Sequence, residues 1–161
     1  MRSAAIFFFL SLTPAIVSST ASAAETLSCP LLTTAVQVGS CPSEDELKYT
    51  FTGYCSDNRR MYQDDAAVCT DYQQYRKLKN LAYWESADGS FTAYLSCDLG
   101  TETIRAAKAS GLSATKQGKI TLLHCNYSDE IRFTHRSRRQ CSVAGNGDCA
   151  SNGNACQASC D

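Results

Sequence analysis

The chain has 161 residues, a formal net charge of −1, and 43% hydrophobic against 19% charged side chains. This balance excludes the basic surplus of a nucleic-acid binder and leaves ample apolar material for one cored domain. Ten cysteines with only two histidines point to disulfides before they point to metal or acid–base chemistry.

Residues 1–23 read as a signal peptide. Arg2 supplies the positive charge, Ala4 to Val17 the apolar stretch, and Ala21-Ser22-Ala23 the small-residue cleavage site. Ser11, Thr13 and Pro14 interrupt that stretch. No later run approaches the roughly 18 apolar residues that a membrane-spanning helix needs. The expectation is a secreted, extracellular protein, in which an even set of cysteines is a disulfide framework. Cys29, Cys41, Cys55, Cys69, Cys97 and Cys125 precede the basic run Arg136-Ser137-Arg138-Arg139; Cys141, Cys149, Cys156 and Cys160 follow it. Both counts are even, so each block can close its own bridges. The spacing lacks paired Cys-x-x-Cys units and interleaved histidines, so no metal site is expected.

In chain order, Leu47 to Thr52 alternates apolar and polar residues and is predicted as a strand. Asp64 to Leu78 fits either a helix presenting Val68, Tyr72 and Tyr75 or Tyr-rich strands. Asp88-Gly89 predicts a two-residue hairpin turn with positive φ at both residues. Folding there sets Trp84 opposite Ala93 and Ala82 opposite Leu95. One face would carry Ala82, Trp84, Phe91, Ala93, Leu95 and Cys97, the other Tyr83, Glu85, Thr92, Tyr94 and Ser96. The tyrosine-bearing face has the makings of a ligand surface, but a small sheet needs a second layer, so it is expected to be covered.

Thr101 to Ser110 predicts a helix, with Thr101 as N-cap and Gly111 as its stop. A second hairpin is predicted over Lys119 to Arg136, with Asn126 to Asp129 as its loop. It would set Leu122 opposite Phe133 and Ile120 opposite His135, with Ile120, Leu122, His124, Ile131, Phe133 and His135 on the apolar face. Residues 24–135 are therefore predicted as a mainly β (or α+β) domain: a small disulfide-stabilised antiparallel sheet with one or two short helices.

Tyr49-Thr50-Phe51-Thr52-Gly53-Tyr54-Cys55, then Cys69, then Trp84 to Cys97 resembles cysteine-rich extracellular modules of invertebrates, with Cys41-Pro42 as the start. The resemblance covers roughly residues 41–135 and implies a secreted animal protein. It brings no activity or site residue with it.

No nucleophile elbow, metalloprotease helix, phosphate loop or calcium loop is present. In the predicted register His124 and His135 share a face but sit about 13 Å apart at roughly 3.3 Å per residue, too far for joint catalysis. No cofactor or enzyme activity is expected. Asn126-Tyr127-Ser128 is a glycosylation sequon in a predicted loop. Residues 136–139 form a basic junction with the Arg-x-Arg-Arg pattern that secretory convertases cut, through Arg136, Arg138 and Arg139. The tail, residues 140–161, has no Lys, Arg or aromatic residue, so disulfides must hold it.

The reading that accommodates these features is a secreted, non-enzymatic, disulfide-rich protein that binds an extracellular protein, receptor or matrix partner. The alternative is a precursor that releases a small toxin-like or hormone-like peptide, residues 140–161, by cleavage after Arg139. Arg132, Arg136, Arg138 and Arg139 also make a candidate strip for sulfated polysaccharide.

Overall fold

The computed structural model describes residues 24–150 and 156–161, and the signal peptide expected over residues 1–23 lies outside the described residues. The fold is mainly antiparallel β, with a few short helices and disulfide-bonded cysteines. A six-stranded sheet has the order β2 (Val36–Gln37), β3 (Leu81–Glu85), β4 (Thr92–Ser96), β7 (Arg132–Ser137), β6 (Ile120–Asn126), β5 (Gly111–Gln117), and a three-stranded sheet the order β1 (Glu25–Ser28), β9 (Gln157–Cys160), β8 (Cys141–Val143).

Inside the large sheet lies the hairpin of β3 (Leu81–Glu85) and β4 (Thr92–Ser96). Its register pairs Trp84 with Ala93 and Ala82 with Leu95, as predicted from the alternation. The turn is different. Gly89 alone has positive φ, at 70°, and no non-glycine residue in the described chain does. Asp88 acts through its side chain instead: Oδ1 accepts from Ser86 Oγ (2.6 Å), Ser90 N (3.1 Å) and Ser90 Oγ (2.8 Å). Ser86 Oγ in turn accepts from Phe91 N (3.0 Å), and Ser86 N donates to Phe91 O (2.9 Å). The loop is therefore longer than two residues and closes on a carboxylate, a local bond that Asp makes readily.

The β6 (Ile120–Asn126) and β7 (Arg132–Ser137) hairpin differs from its predicted register. Cys125 pairs with Phe133 and Leu123 with His135, a shift of three residues. The loop is Ser128 to Glu130, closed by Tyr127 N donating to Ile131 O (3.0 Å). An odd shift exchanges the faces of β6 relative to β7. Leu123, Cys125 and Tyr127 now face the core with Ile131 and Phe133, while His124 faces outward. The Cys29–Cys125 bridge gives the reason, since it requires Cys125 to point inward.

β5 (Gly111–Gln117) was not anticipated. The predicted helix stops early, as α4 (Thr101–Ala106) capped by Gly100 rather than Thr101, and Gly111 opens a strand. Gly118, at φ 59°, turns β5 into β6 and pairs Gln117 with Ile120.

Leu47 to Thr52 is helical, within α1 (Glu44–Tyr54). Ser43 and Glu46 form a reciprocal capping box, and Glu44, Asp45 and Glu46 occupy the positive end of the helix dipole. Leu47, Phe51 and Tyr54 recur at helical spacing, a period that the strand reading overlooked. The region 64–78 is helical but broken. A π-helical turn Arg60–Asp64 leads into α2 (Ala66–Thr70) and α3 (Tyr72–Lys79), the latter started by Asp71 accepting from Gln73 N (2.9 Å). Phe51, Tyr54, Tyr72 and Tyr75 pack ring against ring, and Cys55–Cys69 staples α1 to α2. The ties from this helical unit to the large sheet include Cys41–Cys97 and the paired bonds from Arg76 to Asp98 (2.7 and 2.9 Å).

The tail belongs to the core. β8 (Cys141–Val143) and β1 (Glu25–Ser28) flank β9 (Gln157–Cys160). Ala158 and Cys160 are buried in one cluster with Trp84, Phe91, Leu123, Phe133, Leu32 of a 3₁₀ turn (Leu32–Thr34) and Ile104 of α4. Cys141–Cys160 and Cys149–Cys156 close within the tail, while Leu112 N donates to Gly147 O (2.8 Å) across the sheets. β2 (Val36–Gln37) edges the large sheet beside β3.

Two measurements test these features. The hydrogen bond from Ser86, then those from Ser90, hold the Asp88 carboxyl down at about 2, from an ordinary value of 3.8. A depressed carboxyl stabilises the fold above pH 3.8 and loses that contribution as pH falls through about 2. Asp88→Ala should therefore be destabilised relative to the parent at pH 5, with the difference closing by pH 2 in urea titrations. Gly147 has φ 74°, and a Cβ there would collide with the Leu112 carbonyl. Gly147→Ala is expected to cost about 2–4 kcal/mol of global stability. An unchanged urea midpoint would mean that the tail is not part of the cooperative unit.

Candidate binding face

One face of the six-stranded sheet packs on the core; the other collects the polar residues of five strands. Register aligns them: Val36 pairs with Glu85, Glu85 with Thr92, Thr92 with Thr134, Thr134 with His124, and His124 with Ser113. Two residues from this row along their own strands, Tyr83, Tyr94, Arg132, Asn126, Leu122, Arg136 and Thr115 share its side, because strand side chains alternate. Tyr94 is 71% exposed and its ring lies 5.1 Å from that of Tyr83. The face expected to be covered is open at Tyr94.

His124 organises the middle of this surface. Its Nδ1 lies 3.1 Å from Thr134 Oγ1 and its Nε2 2.9 Å from Thr115 Oγ1. Burial, then the nearby Arg132 charge, lowers its pKa. Arg132 Nε donates to Asn126 Oδ1 (2.7 Å), so the side chain of the sequon asparagine is part of the same surface. Asn126 is the last residue of β6 rather than a loop residue; Tyr127 is buried with its hydroxyl donating to Pro30 O, and Ser128 is exposed. Burial pushes the Tyr127 hydroxyl above its usual range.

The two histidines do not meet. They lie on adjacent strand positions but opposite faces, not on one face at opposite ends: His135 Nδ1 contacts Ser90 O (2.7 Å) and its ring lies 5.4 Å from Phe91. The Sγ atoms of Cys29, Cys149 and Cys156 lie within 4.8 Å of one another, but each is half of a disulfide and offers no thiolate to a metal.

The arginines divide. Arg132 and Arg136 are exposed on the sheet face, about 13 Å apart at roughly 3.3 Å per residue. Arg139 Nη1 instead lies 3.6 Å from Glu25 Oε2 on β1, so the four do not form one strip. The junction itself is exposed at Arg136, Arg138, Arg139 and Gln140, yet tethered on both sides. Ser137 pairs with Thr121, Thr121 Oγ1 donates to Arg139 O (2.9 Å), and Asp161 N donates to Gln140 O (2.9 Å).

Sequence reasoning missed Ser113 and Thr115 because it missed β5; the alternation ahead of Gly118-Lys119, a two-residue turn, was the available signal. No family model, curated protein or solved structure matches the chain. No helix among the described residues is long and apolar enough to cross a membrane.

The histidine carries a pH test. Its folded pKa lies below the ordinary 6.5, so the unfolded chain takes up the proton first and stability falls as pH drops below about 6.5. Wild type should lose stability to urea between pH 7.5 and 5.5, and His124→Gln should lose distinctly less over that interval.

Proposed function

We propose that this is a secreted, non-enzymatic extracellular protein that binds a protein or matrix partner through the outer face of its large sheet. The observation that carries the proposal is the alignment of a tyrosine pair, exposed Tyr94 and half-buried Tyr83, with exposed Arg132 and Arg136 on one face of the sheet. Tyrosine supplies rigid amphipathic contact area, and arginine supplies forked donors for carboxylate or sulfate oxygens. The only carboxylate aligned in that row is Glu85, so the surface suits an anionic partner such as a sulfated matrix polysaccharide. Five bridges among ten cysteines and no free thiol support residence in an oxidising compartment. The non-enzymatic reading rests on the histidines, each occupied by structural contacts on opposite faces of the sheet.

Retention on immobilised heparin tests the surface. The intact protein should elute above about 0.15 M salt, where weak long-range attraction is already screened. Arg132→Ser with Arg136→Ser should elute earlier, whereas Arg138→Ser with Arg139→Ser should change retention little. Equal effects of the two pairs would remove the sheet face as the binding site. Passage of every form without retention would exclude a sulfated polysaccharide as the partner.

A second reading, release of residues 140–161, is favoured by one observation: no disulfide joins the blocks before and after the junction. Against it stand the burial of Ala158 and Cys160 and the pairing of β9 with β1. Cutting would require the end of β7 to open, and release would strip strands from the core. Non-reducing mass spectrometry of the natively secreted material should therefore find the Arg139–Gln140 bond uncut, with residues 140–161 on the same chain as the large sheet. A free species beginning at Gln140 would overturn the intact reading.

A further inference from the structure

Away from the sheet face, the helical unit carries an open groove of about 980 Å³ between α1, the π-helical turn and α3. Buried Leu47 and Tyr75 line it together with the half-buried ring of Tyr54. This apolar lining is bordered by two cations that approach the same ring: the Arg60 guanidinium carbon lies 4.2 Å from the Tyr54 centroid and Lys79 Nζ 5.2 Å from it. Among the described residues neither cation has a carboxylate within ion-pair distance, although Arg59 and Arg76 beside them do. Glu46 is the only acid lining the groove, and its carboxylate is engaged by Ser43 N (2.7 Å) in the capping box. Tyr54 cannot turn away to close the site, because its hydroxyl donates to Asp65 Oδ2 (2.8 Å). The volume lies within the range of small-molecule pockets. The wall of the groove has a gap at Gly53, where an added Cβ would meet nothing within 4 Å.

We infer that this groove binds a small amphipathic anion, its apolar body against Leu47, Tyr54 and Tyr75 and its carboxylate or sulfonate head between Arg60 and Lys79. Charge complementarity selects the head, since the groove presents two unpaired cations and one acid that is already bonded. Aliphatic and aromatic bodies satisfy the same chemistry, and separate probes distinguish them.

The test is titration of the full secreted chain, followed through backbone amide shifts and calorimetry. The probes are sub-micellar laurate for an aliphatic body and naphthalene-2-sulfonate for an aromatic one; acetate supplies a head without a body and dodecyltrimethylammonium a body with the wrong head. One of the first two should bind and shift amides of residues 47–54 and 75–79, while acetate and the cation bind at least about tenfold more weakly. Arg60→Gln with Lys79→Gln should weaken the preferred anion about tenfold, the effect of losing two exposed ion contacts. Gly53→Leu should fill the groove and abolish binding while thermal stability holds or rises, because leucine is a better helix former than glycine. That pairing separates a blocked site from an unfolded one. Binding unaffected by either variant, shifts confined to other residues, or no binding of laurate or naphthalene-2-sulfonate would overturn the inference.

Discussion

The constraint on which the rest depends is the Cys29–Cys125 bridge. Among the described disulfides it alone joins the two sheets, linking the residue after β1 to the core face of β6 one residue from its end. Closing a loop of about 100 residues is worth about 4.7 kcal/mol in the chain-entropy model, a large share of the stability of an ordinary domain. Its geometric effect is as important. With Cys125 inward, alternation sends Leu123 and Tyr127 inward too, and sends His124, Leu122 and Asn126 to the outer face. The composition of the outer surface is thus settled by a bond on the inner one.

The same bond makes sense of the tail. Residues 140–161 have almost no large apolar side chains, and alone they could not bury a core. They need not. β9 supplies small residues, Ala158 and Cys160, that fit closely against the aromatic and aliphatic side chains of the large sheet. β1, which pairs with β9 along its length, is held in place by Cys29 at its end. Gly147 completes the join because only a residue without Cβ lets the tail backbone approach Leu112. What composition presents as a stapled appendage is the second layer of the fold.

The legible parts of this fold share a property: two independent signals agreed. The β3–β4 register was readable because strict alternation on both strands and a glycine-containing turn converged on one pairing. The β6–β7 register was not, because both alternation parities of Ile-Thr-Leu-Leu-His-Cys offer apolar residues, and a loop of four or of three fits between them. α1 was misread because Leu47 to Thr52 satisfies the strand period over a short window, while the capping pair Ser43 and Glu46 lay just upstream of it. The outer sheet face was half legible. Tyr83 with Tyr94, and Arg132 with Arg136, were each identified within one hairpin, and only the β4–β7 pairing brought the two sets together.

By itself the sequence determined the class of this protein: an oxidised cysteine framework, a mainly antiparallel fold, and a hairpin with one apolar and one polar face. These follow from local period, turn chemistry and cysteine number, which do not depend on distant residues. Only the tertiary structure decided which cysteines pair, which parity of β6 faces inward, that the tail closes the core, and that Arg139 leaves the other arginines for Glu25. It also decided that Arg60 and Lys79 meet over one tyrosine ring. Each of these depends on segments tens of residues apart being brought together. The physical reason is that apolar packing is non-directional and tolerates several local registers, whereas a disulfide or a shared strand edge admits one.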